Sequence, residues 1–509
     1  MRIPARPTFA AALALCFITS AASAAPLFAP LENGSTRARA ALFDPAYRAL
    51  AEDPALANFQ MVKVDAAQVT PQTRVIRLNL APGLLVTAQR VDSYRTKQGL
   101  IVWQGILLDG GIKGPLIDPR KTVTLVRHGE KLTGTVSYAG QWYHIRPLRQ
   151  GAHALVAVEV DRMPADEVED APLPLVPAPA LREPAAEAAE STSRTVIRVM
   201  VNYTDRAAAA TGDILGLITL AVAETNQSYA NSGVQLELEL AGTSQVFYVE
   251  TTNSSTDMRR YRGTRDGYMD EIHATRTALA ADVGVLLVRN LAGCGIASGV
   301  GSTYETAFAI VELSCATGAN RYTFGHEIGH LLWARHDPDN DSRDRPYPFG
   351  HGYRHESEPA FRTMMAYDCV PACAPRVLYW SSPSLLYSGV PMGTDAANNN
   401  ARVLNTTKTT VAGFFAPACI PDGGVAEVLG ATACCSGYAV PGTNVCNHQG
   451  DCTQICGTPL VDGCVPSGGI DDVLSETTCC SGAAVAGSAW CLDQDDWGTD
   501  WTSCVQTCQ

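Results

Sequence analysis

The stretch HEIGHLLWARHD, residues 326 to 337, sets His326, His330 and His336 around one glutamate, Glu327. On a helix, positions i and i+4 lie one turn apart on a shared face, so His326 and His330 can grip one metal ion. Glu327, beside the first of them, then reaches a water on that ion. A catalytic zinc takes three protein ligands and keeps a position open for water, whose pKa it lowers towards neutrality. His336 is the obvious third ligand, and Glu327 sits where a general base would take a proton from the water and later give one to a leaving group.

This ligand set makes a demand on the backbone. If the helix continued, His336 would lie about 9 Å along the axis from His330 and be rotated off the shared face. The helix must break between them, which is why glycine usually stands at the eighth position of such a motif, where the chain turns through left-handed backbone. Here that position is Trp333. A tryptophan adopts the conformation at about 1 to 2 kcal/mol, against binding energies on the order of 10 kcal/mol in structural zinc sites. The sequence therefore predicts strain at Trp333 and a surviving site.

Downstream comes FRTMMAYDC, residues 361 to 369. HExxH, a third histidine at this spacing and a downstream methionine together resemble the metzincin metallopeptidases. Asp337, directly after the third histidine, resembles the adamalysin (reprolysin-like) branch. The run from TVIRVMVNYTDRA through CATGANRYTFGHEIGH to RTMMAYDC is similar to the bacterial peptidyl-Asp metalloendopeptidase family, over roughly residues 194 to 418. The resemblance implies an α/β (α+β) domain with a mixed sheet and an active-site helix. It also implies a zinc-dependent endopeptidase acting on protein or peptide substrates, with zinc on His326, His330 and His336 and Glu327 as base. Met365 matches the methionine that underlies the zinc, and Tyr367 a tyrosine that in some members reaches the zinc or the oxyanion as a transition-state stabiliser. AFAIVELS, residues 307 to 314, matches the edge strand that pairs with extended substrate. Cleavage before aspartate is implied by the family and derivable from no residue here; an arginine in the primed-side pocket is its expected physical cause.

Plainer readings stand beside these. Met364 and Met365 can be simple core, and His351 and His355 loop or packing residues, with His351 as a fallback third ligand. Glu356 or Glu358 would complete a gluzincin-type site, but no helical ligand motif surrounds them. The acidic run DPDND after His336 hints at Ca2+, yet it lacks the glycine and twelfth-position glutamate of an EF-hand loop, so a solvated acidic loop is the simpler reading.

The chain of 509 residues exceeds a single core. Its apolar content of 46% is ordinary, and a net charge of -13 without a basic patch argues against nucleic-acid binding. Arg2 and Arg6 precede AALALCFITSAA, too short to span a bilayer, and ASA before Ala25 is a small-residue cleavage site. Residues 1–24 thus read as a secretory signal cut after Ala24, leaving an exported chain with no membrane anchor. Of 17 cysteines Cys16 leaves with the signal, and the other 16 suit disulfides in an oxidising compartment.

Residues 25–162 carry alternating, β-branched runs such as TVTLVRH and GTVSYAGQWYHIRPL, a β-rich domain in the position of a propeptide. Its histidines, His128, His144 and His153, are spread out and read as surface or packing residues. Residues 163–193, rich in Pro, Ala and Glu, read as a linker unable to bury enough surface to fold by itself. From 194 to 418 strand and helix patterns alternate: TVIRVMVNY, GDILGLITLAVAETNQSYANS, VQLELEL, DGYMDEIHATRTALA and VGVLLVRN.

Residues 419–463 and 464–509 repeat one another, with Cys419, Cys434, Cys435 and Cys446 recurring as Cys464, Cys479, Cys480 and Cys491. Each unit closes on a further pair, Cys452 and Cys456, then Cys504 and Cys508. Three disulfides per unit is the natural reading, with connectivity open and zinc as the rival explanation. These repeats would bind an unknown protein or polysaccharide, or merely resist proteolysis.

Cys294 and Cys315 flank the expected edge strand, and Cys369 and Cys373 close a short loop, so they pair in that way. Residues 25–293 contain no cysteine, which excludes a prosegment thiolate on the zinc and leaves a carboxylate or simple occlusion to keep a proenzyme latent. The alternative to an enzyme is a disabled metzincin scaffold working through its C-terminal repeats; intact Glu327 speaks against it.

Overall fold

The computed structural model describes residues 25–31, 39–40, 42–108, 118, 120–166, 173–177, 194–368 and 374–415, and six short strands after 424. The expected signal sequence and the expected Cys369–Cys373 pairing lie outside the described residues. Among the described residues no helix is long and apolar enough to cross a membrane.

Alternating runs in the N-terminal part form nine strands: β1 (Phe28–Pro30), β2 (Phe59–Val64), β3 (Val75–Ala81), β4 (Leu84–Arg95), β5 (Ile101–Leu108), β6 (Thr122–His128), β7 (Lys131–Tyr138), β8 (Gln141–Pro147) and β9 (Ala152–Val158). They make one antiparallel sheet in the order β1-β2-β9-β8-β7-β6-β5-β4-β3. In β3 the alternation of VIRLNLA turns Ile76, Leu78 and Leu80 inward. They join Val86, Trp103, Leu125 and Ile145 in a core of the sheet's own.

The other face serves the rest of the chain. Val102 and Val126 pack on Leu220 and Ala223, and Met61, Trp142 and Val156 belong to one apolar cluster with Ile197, Val199 and Ile328. Leu220 and Ala223 lie on helix α1 (Ile214–Asn231), which crosses between the parallel strands β10 (Thr195–Thr204) and β11 (Leu236–Val246). With β12 (Val283–Val288), β13 (Gly295–Ala297) and β14 (Phe308–Glu312) these form a five-stranded sheet in the order β11-β10-β12-β14-β13.

Here the sequence expectation needs correction. AFAIVELS contains β14, but β14 is an interior strand between β12 and β13, every residue of it buried. Continuous burial on both faces is what a near-unbroken apolar run signals. The edge is the three-residue β13, antiparallel to β14 and too short to announce itself by periodicity. The expected disulfide Cys294–Cys315 is present and anchors the start of this edge strand.

Two further helices bear on the site, α2 (Thr323–Leu331), which carries the histidine motif, and α3 (Asn400–Ala412). Thr407 on α3 donates its hydroxyl to Leu332 O (2.9 Å), capping the end of α2. Each C-terminal repeat contributes a three-stranded antiparallel sheet of the same order: Val425–Glu427, Cys452–Ile455, Val445–Cys446 in one, and Ile470–Asp472, Ser503–Thr507, Trp490–Leu492 in the other.

Two pieces of the Pro/Ala/Glu-rich segment are held by partners that composition alone does not show. Ala165 O accepts from Cys294 N (2.9 Å), and Val176 N donates to Val300 O (2.9 Å).

The contact between the N-terminal sheet and α1 buries Glu224, which bonds Thr135 of β7 and accepts from Gly318 N (3.0 Å). Burial lifts its carboxyl to about 7, opposed by those two hydrogen bonds and by Arg146. A raised carboxyl contributes stability that is complete below its ordinary value and lost as pH rises through 7. Thermal unfolding of the full chain from pH 5 to 8.5 should therefore show Glu224→Gln gaining on the wild type across this window by about 2 kcal/mol; parallel profiles would refute the assignment.

Candidate active site

Helix α2 is buried along its whole length. Gly329 permits close approach on one side: a Cβ there would lie 3.0 Å from Met365 Sδ and 2.6 Å from Trp380. His326 and His330 leave the helix one turn apart, and His336 returns to meet them. Its Nε2 lies 3.2 Å from Nε2 of His326 and 2.9 Å from Nε2 of His330. Among the described residues this is the group of His, Cys, Asp and Glu able to share a metal ion.

The backbone orients the rings. Nδ1 of His326 lies 2.8 Å from Met364 O, and Nδ1 of His330 lies 2.9 Å from Ala334 O. A carbonyl only accepts, so each Nδ1 carries the proton and each neutral ring turns its Nε2 lone pair towards His336. Lone pairs at these separations repel unless a cation or proton sits among them. The donor set, neutral imidazole braced from behind, fits zinc.

Trp333 has φ +65°, the left-handed conformation that the ligand spacing demands. Trp333 N donates to His330 O (2.9 Å) and Ala334 N to Gly329 O (3.0 Å), a Schellman ending with tryptophan at the position glycine favours. The ring is buried to 1% exposure, lies against Gly301 and donates Nε1–H to Val176 O (2.9 Å). The strain is thus offset by packing and a hydrogen bond that glycine would lack.

Glu327 is fully buried on the side of α2 facing β13. A Cβ at Gly295 would stand 2.5 Å from Glu327 Oε1, so the edge strand needs glycine there to admit the carboxylate. Met365 is buried with its Sδ against Gly329 of α2, and the Tyr367 ring sits with its centroid 4.1 Å from that of His336. Asp337 carries the turn: it accepts from Tyr367 N (2.9 Å) and from Asn340 Nδ2 (2.9 Å).

The other candidates fall elsewhere. His351 braces the site from outside, Nδ1 donating to His336 O (2.9 Å). Glu356 is exposed and paired with Arg354 (2.9 Å), and Glu358 is exposed. In DPDND, Asp339 pairs with Arg354 (2.9 Å), which also lies 3.5 Å from Asp337, and Asp341 pairs with Arg343 (2.7 Å), so each of its carboxylates already faces an arginine. His144 and His153 are buried in the N-terminal sheet, and His128 bonds Asp213 (3.0 Å).

A second charged cluster, which the spacing of residues did not reveal, adjoins the histidines. Asp166 stands among three arginines: Arg362 Nη1 at 2.9 Å, Arg376 Nη2 at 3.2 Å and Arg321 Nε at 3.5 Å. Arg321 precedes α2, and Arg362 and Arg376 both donate to Ala366 O (2.8 and 3.0 Å), next to Met365. Burial would raise the Asp166 carboxyl, but the arginines hold it well below the usual carboxylate range. Burial, and then the neighbouring Arg362, bring Arg376 down to about 9.

Comparison with known proteins agrees with this geometry. A family model described as metallo-peptidase family M12, of reprolysin type, matches residues 193–381. A peptidyl-Asp metalloendopeptidase of Xanthomonas campestris pv. campestris is 42% identical over 411 residues, 79% of this chain and 97% of the relative. The chain belongs to the peptidyl-Asp metalloendopeptidase family. It is a metalloendopeptidase, a hydrolase of peptide bonds. Similar matches of the same name come from Stenotrophomonas maltophilia, 44% identical over 408 residues (78% of this chain, 95% of the relative), and from Pseudomonas fragi, 39% over 191 residues (38% and 99%).

Trp333→Gly relieves about 1 to 2 kcal/mol of backbone strain but empties a buried site whose truncation costs about 3 to 5 kcal/mol. Denaturant unfolding of the full chain should show a net loss of about 1 to 4 kcal/mol. A more stable variant would mean that the ring is merely endured.

Proposed function

We propose that this family member is a secreted zinc endopeptidase, made as a proenzyme, that cuts peptide bonds on the amino side of aspartate. The observation that carries the reading is the convergence of His326, His330 and His336 beside buried Glu327 and an edge strand. His326, His330 and His336 would hold a zinc ion, which would supply Lewis acidity at the attacking water and the scissile carbonyl. Glu327 takes a proton from the attacking water and passes it to the leaving amine nitrogen. The β13 backbone pairs with an extended substrate, fixing the bond against the carboxylate. Tyr367, its ring tilted against that of His336, donates a hydrogen bond to the oxyanion, and Met365 supports the histidines from below.

Secretion is supported by the signal-like residues 1–24 and by cysteines concentrated after residue 293. The propeptide role of residues 25–162 is supported by the apolar cluster that they share with the catalytic part. Aspartate selection is supported by the names of the relatives and by the arginine cluster. The C-terminal repeats are read as disulfide-braced modules that bind a protein or polysaccharide outside the cleft.

Digestion of a mixed peptide library by the processed chain should give cuts ahead of aspartate, abolished by a chelator and restored by zinc. Glu327→Gln should lower kcat by a factor of at least about 1,000 while zinc content stays at one per chain. Bound zinc with no cleavage by the wild type would favour the disabled scaffold instead.

A further inference from the structure

Asp166 belongs to the segment joining the N-terminal sheet to the catalytic part, yet its side chain is 10% exposed and enclosed by Arg321, Arg362 and Arg376, at 10%, 0% and 1%. Arg362 also has Asp368 at 3.8 Å, which leaves the cluster with more cations than anions. Buried guanidinium groups are costly to leave unpaired, and their planar forks suit a carboxylate. The cluster is therefore a pocket built for an acidic group, and in this chain the acidic group arrives from outside the catalytic fold.

Its surroundings show what else the same groups hold. Arg376 Nη1 donates to Arg321 O (2.6 Å), tying the cluster to the start of α2, and the shared acceptor Ala366 O ties it to the methionine turn. Arg321 Nε donates to Pro164 O (3.2 Å), and Cys294 N, at the head of the edge strand, donates to Ala165 O (2.9 Å). At the other end of this strand, Val300 N donates to Pro174 O (2.8 Å), and Trp333 holds Val176. The described pieces of the segment thus bond the backbone on either side of the edge strand, at Cys294 and at Val300, next to the groups that an extended substrate would use.

We propose that Arg321, Arg362 and Arg376 form the pocket that selects the aspartate on the amino side of which the enzyme cuts, and that Asp166 fills this pocket in the proenzyme as a tethered substrate mimic. This rests on the endopeptidase reading above and adds the specificity residues and the source of latency. A pocket that pairs buried guanidinium groups rejects an uncharged side chain because binding it would leave those groups unsatisfied. The same physics gives Asp166 its hold until the segment is cut, after which substrate competes with nothing tethered.

The test compares the full wild-type chain, Asp166→Ala, and Asp166→Ala combined with Arg321→Gln or Arg321→Lys. The probes are fluorogenic peptides identical except for Asp, Asn or Ala after the cleaved bond. Arg321 is chosen because, unlike its two partners, it does not bond Ala366 O. Before any processing, Asp166→Ala should raise hydrolysis of the Asp peptide on the order of 100-fold, and Asp166→Asn, which keeps the side chain's shape, should act in the same direction. Adding Arg321→Gln should lower kcat/KM for the Asp peptide on the order of 100-fold and leave the Ala peptide within about threefold, with Arg321→Lys recovering part of the loss. Variants at Asp166 as latent as the wild type would overturn the mimic. Equal loss on all peptides would overturn the pocket and leave Arg321 a structural brace. A processed wild type that cuts Asp and Ala peptides alike would sink the aspartate reading itself, and with it the pocket's role, whatever the variants do.

Discussion

Three imidazole nitrogens must meet at one point, and two of them come from a helix that cannot supply the third. The rest of the catalytic architecture follows from this geometric conflict. The chain leaves α2 through a left-handed residue, and because that residue is Trp333 the turn carries a large ring that needs a home. It finds one between Gly301 and Val176, so the break in the helix, the end of the edge strand and the joining segment become one packed unit. A local cost of backbone conformation is met by tertiary burial.

Charge is handled by the same logic of enclosure. Glu327 lies buried where only a glycine edge strand leaves room for it, and Asp166 is ionised in the interior because three arginines surround it. Glu224, with less compensation, is pushed the other way. Buried charge is tolerated where partners are fixed by backbone, as Ala366 O and Arg321 O fix the guanidinium groups.

The N-terminal sheet and the catalytic sheet are separate in topology and continuous in packing. One face of the nine-stranded sheet closes on its own core, while the other contributes Met61, Trp142 and Val156 to the cluster that includes Ile328 of α2. Packed this way, the N-terminal sheet buries apolar surface on the active-site helix's own support.

Most strands and helices of the catalytic part were legible in the sequence because periodicity is a local property. VGVLLVRN and AFAIVELS contain the buried strands β12 and β14, and GDILGLITLAVAETNQSYANS contains α1. The histidine set was legible too, since a motif whose ligands lie within eleven residues carries its geometry in its spacing. The edge strand was misassigned because a three-residue strand has no period, and which strand lies outermost depends on how β13 folds back on β14. By itself, then, the sequence determined the candidate histidine set, the glutamate beside it and the need for a left-handed break at Trp333, because the motif's spacing and helix geometry carry them. Only the tertiary structure decided that Gly295 makes room for Glu327 and that Asp166 meets Arg321, Arg362 and Arg376, because these residues are far apart along the chain and no local rule links them.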